Sequence, residues 1–185
     1  MSLDYLIFGG SGFVGTHLSS YLEDIGSSFL IADLIEPIKQ DLSFEISDVR
    51  ENISLDIENN SETVIINLAA VHKTPGHPDK DYFDTNIKGA ENVCNFARDN
   101  SINTIVFTSS IAVYGTYEDK KYEKTLPMPD IPYGISKLSA EHIHKRWQSE
   151  DPLNRRLIIL RPGVVFGMYE QANFTRLVNS LQKKY

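Results

Sequence analysis

Short apolar runs alternate with longer segments of helical period along the chain. Leu3 to Phe8 is an apolar run that ends in glycines and reads as a buried strand. Phe13, Val14, His17, Leu18, Tyr21, Leu22 and Ile25 then put one face of a helix inward, and Gly26 ends it. Phe29 to Ala32 predicts a second strand, Phe44 to Ile46 a short third and Thr63 to Leu68 a strongly apolar fourth. From Asp81 to Asp99 the period is helical, through Phe83, Ile87, Ala90, Cys94 and Ala97. Thr104 to Thr108 predicts a strand, Gly134 to Gln148 a helix and Leu157 to Leu160 a strand. Phe174, Leu177, Val178 and Leu181 predict a last amphipathic helix.

The strands are continuous apolar runs, as expected where both faces of a sheet are covered. Strands alternating with helices, joined by right-handed crossovers, give an α/β fold with a doubly wound parallel sheet. The segment from Gly115 to Pro132, punctuated by Pro127, Pro129 and Pro132, is long for an α/β connection, and such loops tend to carry function. A length of 185 residues suits one such domain.

Charge and composition narrow the partners. The net charge is −7 and no basic run stands out, which argues against nucleic acid. Lys120 and Lys121 are followed by Glu123 and read as a solvated loop. An acidic surface still admits an anionic dinucleotide, because helix N-termini supply positive potential locally. The single cysteine, Cys94, cannot form an intramolecular disulfide, and its apolar neighbours Val93 and Phe96 predict a buried thiol in a reducing compartment. No run approaches the roughly 20 apolar residues of a membrane span, and Met1-Ser2-Leu3-Asp4 has no signal-peptide character. A cytoplasmic protein without a membrane partner is expected.

Gly9, Gly12 and Gly15 space a GxxGxxG turn directly after a predicted strand and at the opening of a helix. A pyrophosphate must approach the backbone there more closely than a Cβ permits, and the helix N-terminus offers free N–H groups. Asp33 ends the second strand about 20 residues on, where a carboxylate accepts hydrogen bonds from the adenosine ribose hydroxyls and repels a 2′-phosphate. NAD is therefore expected over NADP, with Lys39 close enough in sequence to keep the other open.

Tyr133 and Lys137 form a YxxxK pair at a helix start. Residues four apart share a helix face, so the ammonium is expected to lower the phenol's pKa and let it take a proton from an alcohol. Thr108, Ser109 and Ser110 close the preceding strand on the sheet edge where ligands bind. A Ser110 hydroxyl there is placed to hold a substrate oxygen; plain turn chemistry is the alternative for the two serines. No metal is expected: His142 and His144 face different ways on a helix, and His72 and His77 lack a third ligand at a familiar spacing.

Gly9-Gly10-Ser11-Gly12-Phe13-Val14-Gly15, Asn67-Leu68-Ala69-Ala70, Ser109-Ser110-Ile111-Ala112-Val113-Tyr114-Gly115, Tyr133 with Lys137, and Arg161-Pro162-Gly163 occur in the order seen in the extended short-chain dehydrogenases. The chain resembles an NAD-dependent nucleotide-sugar epimerase/dehydratase of the UDP-glucose 4-epimerase kind, over essentially its whole length. The resemblance implies a Rossmann fold, with Ser110, Tyr133 and Lys137 catalytic and Ser109 the fallback serine. Phe13 and Val14 accompany the glycines at the cofactor. Asp48 and Val49 would flank the adenine. Leu68, Ala69 and Ala70 would line the pyrophosphate and nicotinamide side, and Asn86 would support the cofactor. Thr108, Ser109, Arg161 and Pro162 complete the cofactor set, while Lys137 also holds the nicotinamide ribose. Asn67 stands where many relatives have His.

The dehydratases of that family carry a Thr-Asp-Glu arrangement after the serine; here Ile111 and Ala112 cannot eliminate water. The expected reaction is 4-epimerisation of a nucleotide sugar through a 4-keto intermediate. An alcohol dehydrogenase or ketone reductase, NAD- or NADP-dependent, is the enzymatic alternative, and a non-catalytic dinucleotide-sensing module the other. By the same resemblance the NAD-binding domain fills residues 1–185, with 162–185 beginning a substrate region in which Asn173, Phe174 and Arg176 contact the nucleotide sugar together with Ser110 and Tyr133. The chain is expected to be a truncated form that lacks most of the substrate domain, and a homodimer built on the two helices after Asp81 and Gly134.

Overall fold

The computed structural model describes residues 3–57, 61–72, 76–117, 119–168, 170 and 173–182. Six parallel strands form one sheet: β1 (Tyr5–Phe8), β2 (Phe29–Asp33), β3 (Phe44–Ile46), β4 (Val64–Asn67), β5 (Thr104–Thr108) and β6 (Arg156–Leu160). Their order is β3-β2-β1-β4-β5-β6. The direction of winding reverses beside β1, and that switch point opens a crevice at the strands' C-terminal ends. Central strands are buried on both faces, with Leu6, Ile7, Phe8, Ile65 and Ile105 fully enclosed. This is why they read as unbroken apolar runs.

The helices are α1 (Phe13–Asp24), α2 (Asp79–Phe83), α3 (Gly89–Asp99), α4 (Pro132–Ser149) and α5 (Asn173–Gln182). Pro132 starts α4 at a position where its missing N–H costs nothing. Gly26 closes α1 at φ +71°, in the left-handed region. The helix expected from Asp81 to Asp99 is interrupted: a π-helical turn, Asp84–Lys88, joins α2 to α3. A second departure is a 3₁₀ turn, Ile111–Tyr114, which the Ser110 side chain caps by accepting the Ala112 N–H at 3.1 Å.

The larger apolar core lies between the sheet and the face carrying α3 and α4. Phe8, Val93, Phe96, Phe107 and Trp147 meet there, with Cys94 buried among them. Burial pushes that thiol up to about 12, so it behaves as packing rather than as a nucleophile. A smaller cluster of Ile7, Leu22 and Ile66 packs under α1.

Candidate active site

The crevice at the strand ends is a cleft of about 1350 Å³, floored by the β1–α1 turn and walled by the ends of β2, β4 and β5. Each glycine of the turn answers to a different constraint. Gly9 has φ +75°, and a Cβ on it would come within 2.5 Å of the Ala69 amide nitrogen. At Gly15 a Cβ would lie 2.2 Å from the Gly10 carbonyl oxygen, so only glycine lets α1 seat on the turn. Gly12 differs: its φ of −73° suits any residue, and a Cβ would meet only the Gly9 oxygen, at 3.4 Å. The fold does not require glycine there. What a Cβ at Gly12 would take up is room in the cleft. No side chain caps α1 either, so its first N–H groups remain for an anion. These features fit the pyrophosphate of a dinucleotide.

Asp33 sits at the end of β2 with its carboxylate tied to the turn. It accepts the Ser11 N–H at 2.9 Å and the Leu34 N–H at 2.6 Å. The clamp fixes the carboxylate at the end of the cleft. Asp48 and Val49 line the same end, where Arg50 grips Asp48 through Nε at 2.9 Å and Nη2 at 2.7 Å. The Arg50 guanidinium holds the Asp48 carboxyl below its ordinary range. Leu34, Ile35 and Ile38 add an apolar wall that the pattern reading did not assign to the site. Their signal was three apolar residues directly after a strand, outside any helical or strand period.

On the other side, Leu68, Ala69, Ala70, Thr108, Ser109, Ser110, Tyr133, Lys137 and Pro162 all line the cleft, as do Phe13 and Val14. Two expected cofactor residues do not. Asn86, on the π-helical turn, is 3 % exposed and spends its carboxamide on the wall: it accepts the Val71 N–H at 3.0 Å, donates to the Val71 carbonyl at 3.1 Å and donates to Ser136 Oγ at 2.8 Å. Arg161 turns its guanidinium away to Glu141 and to the Tyr114 hydroxyl. Of the expected substrate contacts, Arg176 lines the cleft, whereas the side chains of Asn173 and Phe174 lie outside the described residues.

The two serines separate clearly. Ser109 is buried and donates its hydroxyl to Glu141 Oε1 at 2.7 Å. Ser110 is half-buried and lines the cleft with Tyr133, its hydroxyl accepting the Ala112 N–H at 3.1 Å. The expected lowering of the phenol by Lys137 is not realised: burial raises the Tyr133 pKa, and the nearby Ser110 hydroxyl only partly offsets it. The Lys137 ammonium instead lies 4.4 Å from the centre of the Phe107 ring. Its burial pulls it down to about 7, with Glu141 acting in the opposite direction. Lysine at such a value exchanges protons near neutrality. Ile111 and Ala112 also line the cleft, and neither can carry a proton.

Among the described residues no helix is long and apolar enough to cross a membrane, and no cluster of three metal-ligating side chains occurs.

Comparison with known proteins agrees with this geometry. The family model "NAD dependent epimerase/dehydratase family" matches residues 5–184. An N-acetyl-α-D-glucosaminyl-diphospho-ditrans,octacis-undecaprenol 4-epimerase of Escherichia coli O157:H7 is 35% identical over 98% of this chain and 54% of its own length. The UDP-glucose 4-epimerase of Vibrio cholerae is 27% identical over 99% of this chain and 58% of its own. The solved structure of MoeE5 in complex with UDP-glucuronic acid and NAD superposes with a TM-score of 0.83 at 25% identity, covering 96% of this chain and 60% of that one. The chain thus spans about half the length of the curated relatives it matches. With matching residues running from the first strand to the last helix, the chain belongs to the NAD-dependent epimerase/dehydratase family.

Proposed function

We propose that this chain is the cofactor-binding and proton-transferring part of an NAD-dependent 4-epimerase, acting on a hexose joined to a nucleoside diphosphate. The observation that carries the reading is the meeting of Ser110, Tyr133 and Lys137 with an open glycine turn in one cleft. Gly12 and the uncapped start of α1 would hold the pyrophosphate, and Asp33 the adenosine ribose. NAD bound there would accept hydride from the sugar's C4 and return it to the opposite face. Tyr133 takes the C4 hydroxyl proton as the hydride leaves and gives it back on return. Ser110 holds the C4 oxygen, and Lys137 binds ribose hydroxyls. With Ile111 and Ala112 beside the serine, elimination of water finds no acid or base there.

The 35% identity to an epimerase of an undecaprenol-linked sugar favours a second reading of the carrier: a polyprenol in place of the nucleoside. Both carriers present a sugar on a diphosphate. The test incubates the complete protein and NAD with UDP-N-acetylglucosamine, UDP-glucose and undecaprenyl-diphosphate-linked N-acetylglucosamine, and follows the 4-epimer by NMR. Conversion of the lipid-linked sugar alone selects the second carrier. NAD binding without conversion of any of the three would leave a dinucleotide-sensing module.

Three further elements belong to this reading. Residues 162–185 begin the substrate region, supported by Pro162, Gly163, Val164 and Arg176 on the cleft wall. The protein is a homodimer through α3 and α4, which pack side by side on one face of the sheet; light scattering showing only monomer at tens of micromolar would refute it. A cytoplasmic location is supported by a single, buried thiol.

A further inference from the structure

A buried ionic group stands behind the cleft, on the side of α4 that faces β5 and β6. Lys137, Glu141 and His144 recur at the spacing of one helix face, and all three are at most 2 % exposed. Such a stripe would ordinarily be apolar, and Ala140 and Trp147 beside it are. Glu141 is its centre. Its Oε1 accepts Ser109 Oγ at 2.7 Å and Arg161 Nε at 2.7 Å, and its Oε2 accepts Arg161 Nη2 at 2.6 Å. Arg161 in turn donates to the Tyr114 hydroxyl at 2.6 Å. Backbone bonds tie the same strands: Ser109 N–H to the Leu160 carbonyl at 2.7 Å and Ile111 N–H to the Pro162 carbonyl at 3.1 Å. One carboxylate therefore joins α4, the end of β5, the end of β6 and the 3₁₀ turn that follows Ser110.

We propose that Glu141 is a positioning residue: through Ser109 and Arg161 it fixes the strand end that presents Ser110 to Tyr133, and its charge supports the Lys137 ammonium one helical turn away. The first half follows from connectivity. Ser110 is covalently next to Ser109, whose hydroxyl and amide are both anchored, so Ser110 is held between an anchored strand end and its own cap on Ala112. The second half follows from charge. The groups around Lys137 are the Phe107 ring of β5 and, on α4, Glu141 and His144, with Arg161 and Lys145 paired to Glu141 and the Tyr114 hydroxyl beyond Arg161. Glu141 is the carboxylate in that set, and it offsets the desolvation of the amine. An arginine bound at both carboxylate oxygens gives this acid the partners a buried charge needs.

The test reads titrations of the chain without cofactor or substrate, so it stands apart from the proposed reaction. Tyrosine Cζ and lysine Cε are labelled with ¹³C and followed by NMR against pH, with Tyr133→Phe and Lys137→Met assigning the two signals. In Ser109→Ala the Tyr133 midpoint should rise, because Ser110 loses its anchor. In Glu141→Gln the Tyr133 midpoint should rise and the Lys137 midpoint fall by about one unit, a tenfold loss in proton affinity. Glu150→Gln is the control, since Glu150 is likewise a carboxylate held by arginine, here Arg98 and Arg155, but at the far end of α4. It should lower the melting temperature and move neither midpoint. Should Glu141→Gln fail to fold, Ser109→Ala decides alone. Unmoved midpoints in the folded variants, or equal movement in Glu150→Gln, would overturn the proposal. Absence of NAD binding would overturn the proposed function and leave this result standing.

Discussion

Gly12 and Gly15 look alike as letters, and the space around them tells them apart. A Cβ at Gly15 would lie 2.2 Å from a backbone oxygen, closer than the turn can relieve without lifting α1 from the sheet. A Cβ at Gly12 has room within the protein. Gly15→Ala should therefore cost several kcal/mol, the scale of overpacking and strain (roughly 1–3 kcal/mol or more). Gly12→Ala should cost no more than about 1 kcal/mol, a helix-cap effect, and still lower NAD affinity at least tenfold, which is about 1.4 kcal/mol of binding. Urea unfolding and calorimetric titration of the two variants check this. Normal NAD binding by Gly12→Ala would remove the pyrophosphate from that turn. The same separation applies to Tyr133 and Ser110. In the complete protein, Tyr133→Phe keeps the ring against Tyr82 and removes the proton acceptor. Turnover should fall by at least about 10²-fold with NAD affinity nearly unchanged, and a retained turnover would return the YxxxK pair to ordinary packing. Ser110→Ala should reduce turnover without loss of stability. Ser109→Ala should cost about 1–3 kcal/mol of stability, because it takes a donor from a buried carboxylate.

Elements were legible to the degree that periodicity alone builds them. β3 and β5 begin and end where the expected runs do: β5 buries Ile105 and Phe107, whereas β3 is an edge strand with Glu45 and Ile46 exposed. The interruption between α2 and α3 was not legible. Phe83, Ile87 and Ala90 keep an apolar stripe that reads as one helix, and a π-helical turn inserts its extra residue without breaking that stripe. The turn buries Asn86 against Val71 and Ser136, so this asparagine braces the cleft wall between β4 and α4. The 3₁₀ turn escaped for a related reason: four apolar residues, Ile111–Tyr114, carry no capping signal beyond Ser110. Motif order places Arg161 near the cofactor but does not say which way a side chain turns; its guanidinium meets the buried charge of Glu141. Asn86→Leu tests the bracing role. It should cost about 2 kcal/mol, since it leaves the Val71 peptide and the Ser136 hydroxyl short of partners. NAD affinity should fall less than in Gly12→Ala. An NAD loss larger than that of Gly12→Ala, with stability intact, would mean that Asn86 meets the cofactor directly.

At the scale of the whole molecule, the buried titratable groups set how stability depends on pH. His144 is fully buried and stacked on Phe107 at 4.2 Å. Its Nδ1–H donates to the Ala140 carbonyl at 2.8 Å, while Nε2 has no hydrogen-bond partner among the described residues. Burial pulls its pKa down to about 4 from 6.5; the Ala140 bond raises it, Lys137 lowers it and Glu141 raises it. The unfolded chain thus takes up a proton near pH 6.5 that the folded chain refuses until about pH 4. Stability from this group is fully present above pH 6.5 and declines as pH falls through that window. Lys137 has the same sign at higher pH, since its folded value of about 7 lies below the ordinary 10.5, so its contribution rises between those values. Glu141, held low by Arg161 and Ser109 against the opposing effect of burial, adds a loss below its ordinary 4.5. Between pH 6.5 and 5 the histidine window stands nearly clear of the other two. Urea unfolding there should lose about 2 kcal/mol of stability on acidification. His144→Leu keeps an apolar side chain against Phe107 and has nothing to protonate, so its stability should stay nearly flat over the same interval. An equal slope in the variant would assign the acid sensitivity to groups other than His144.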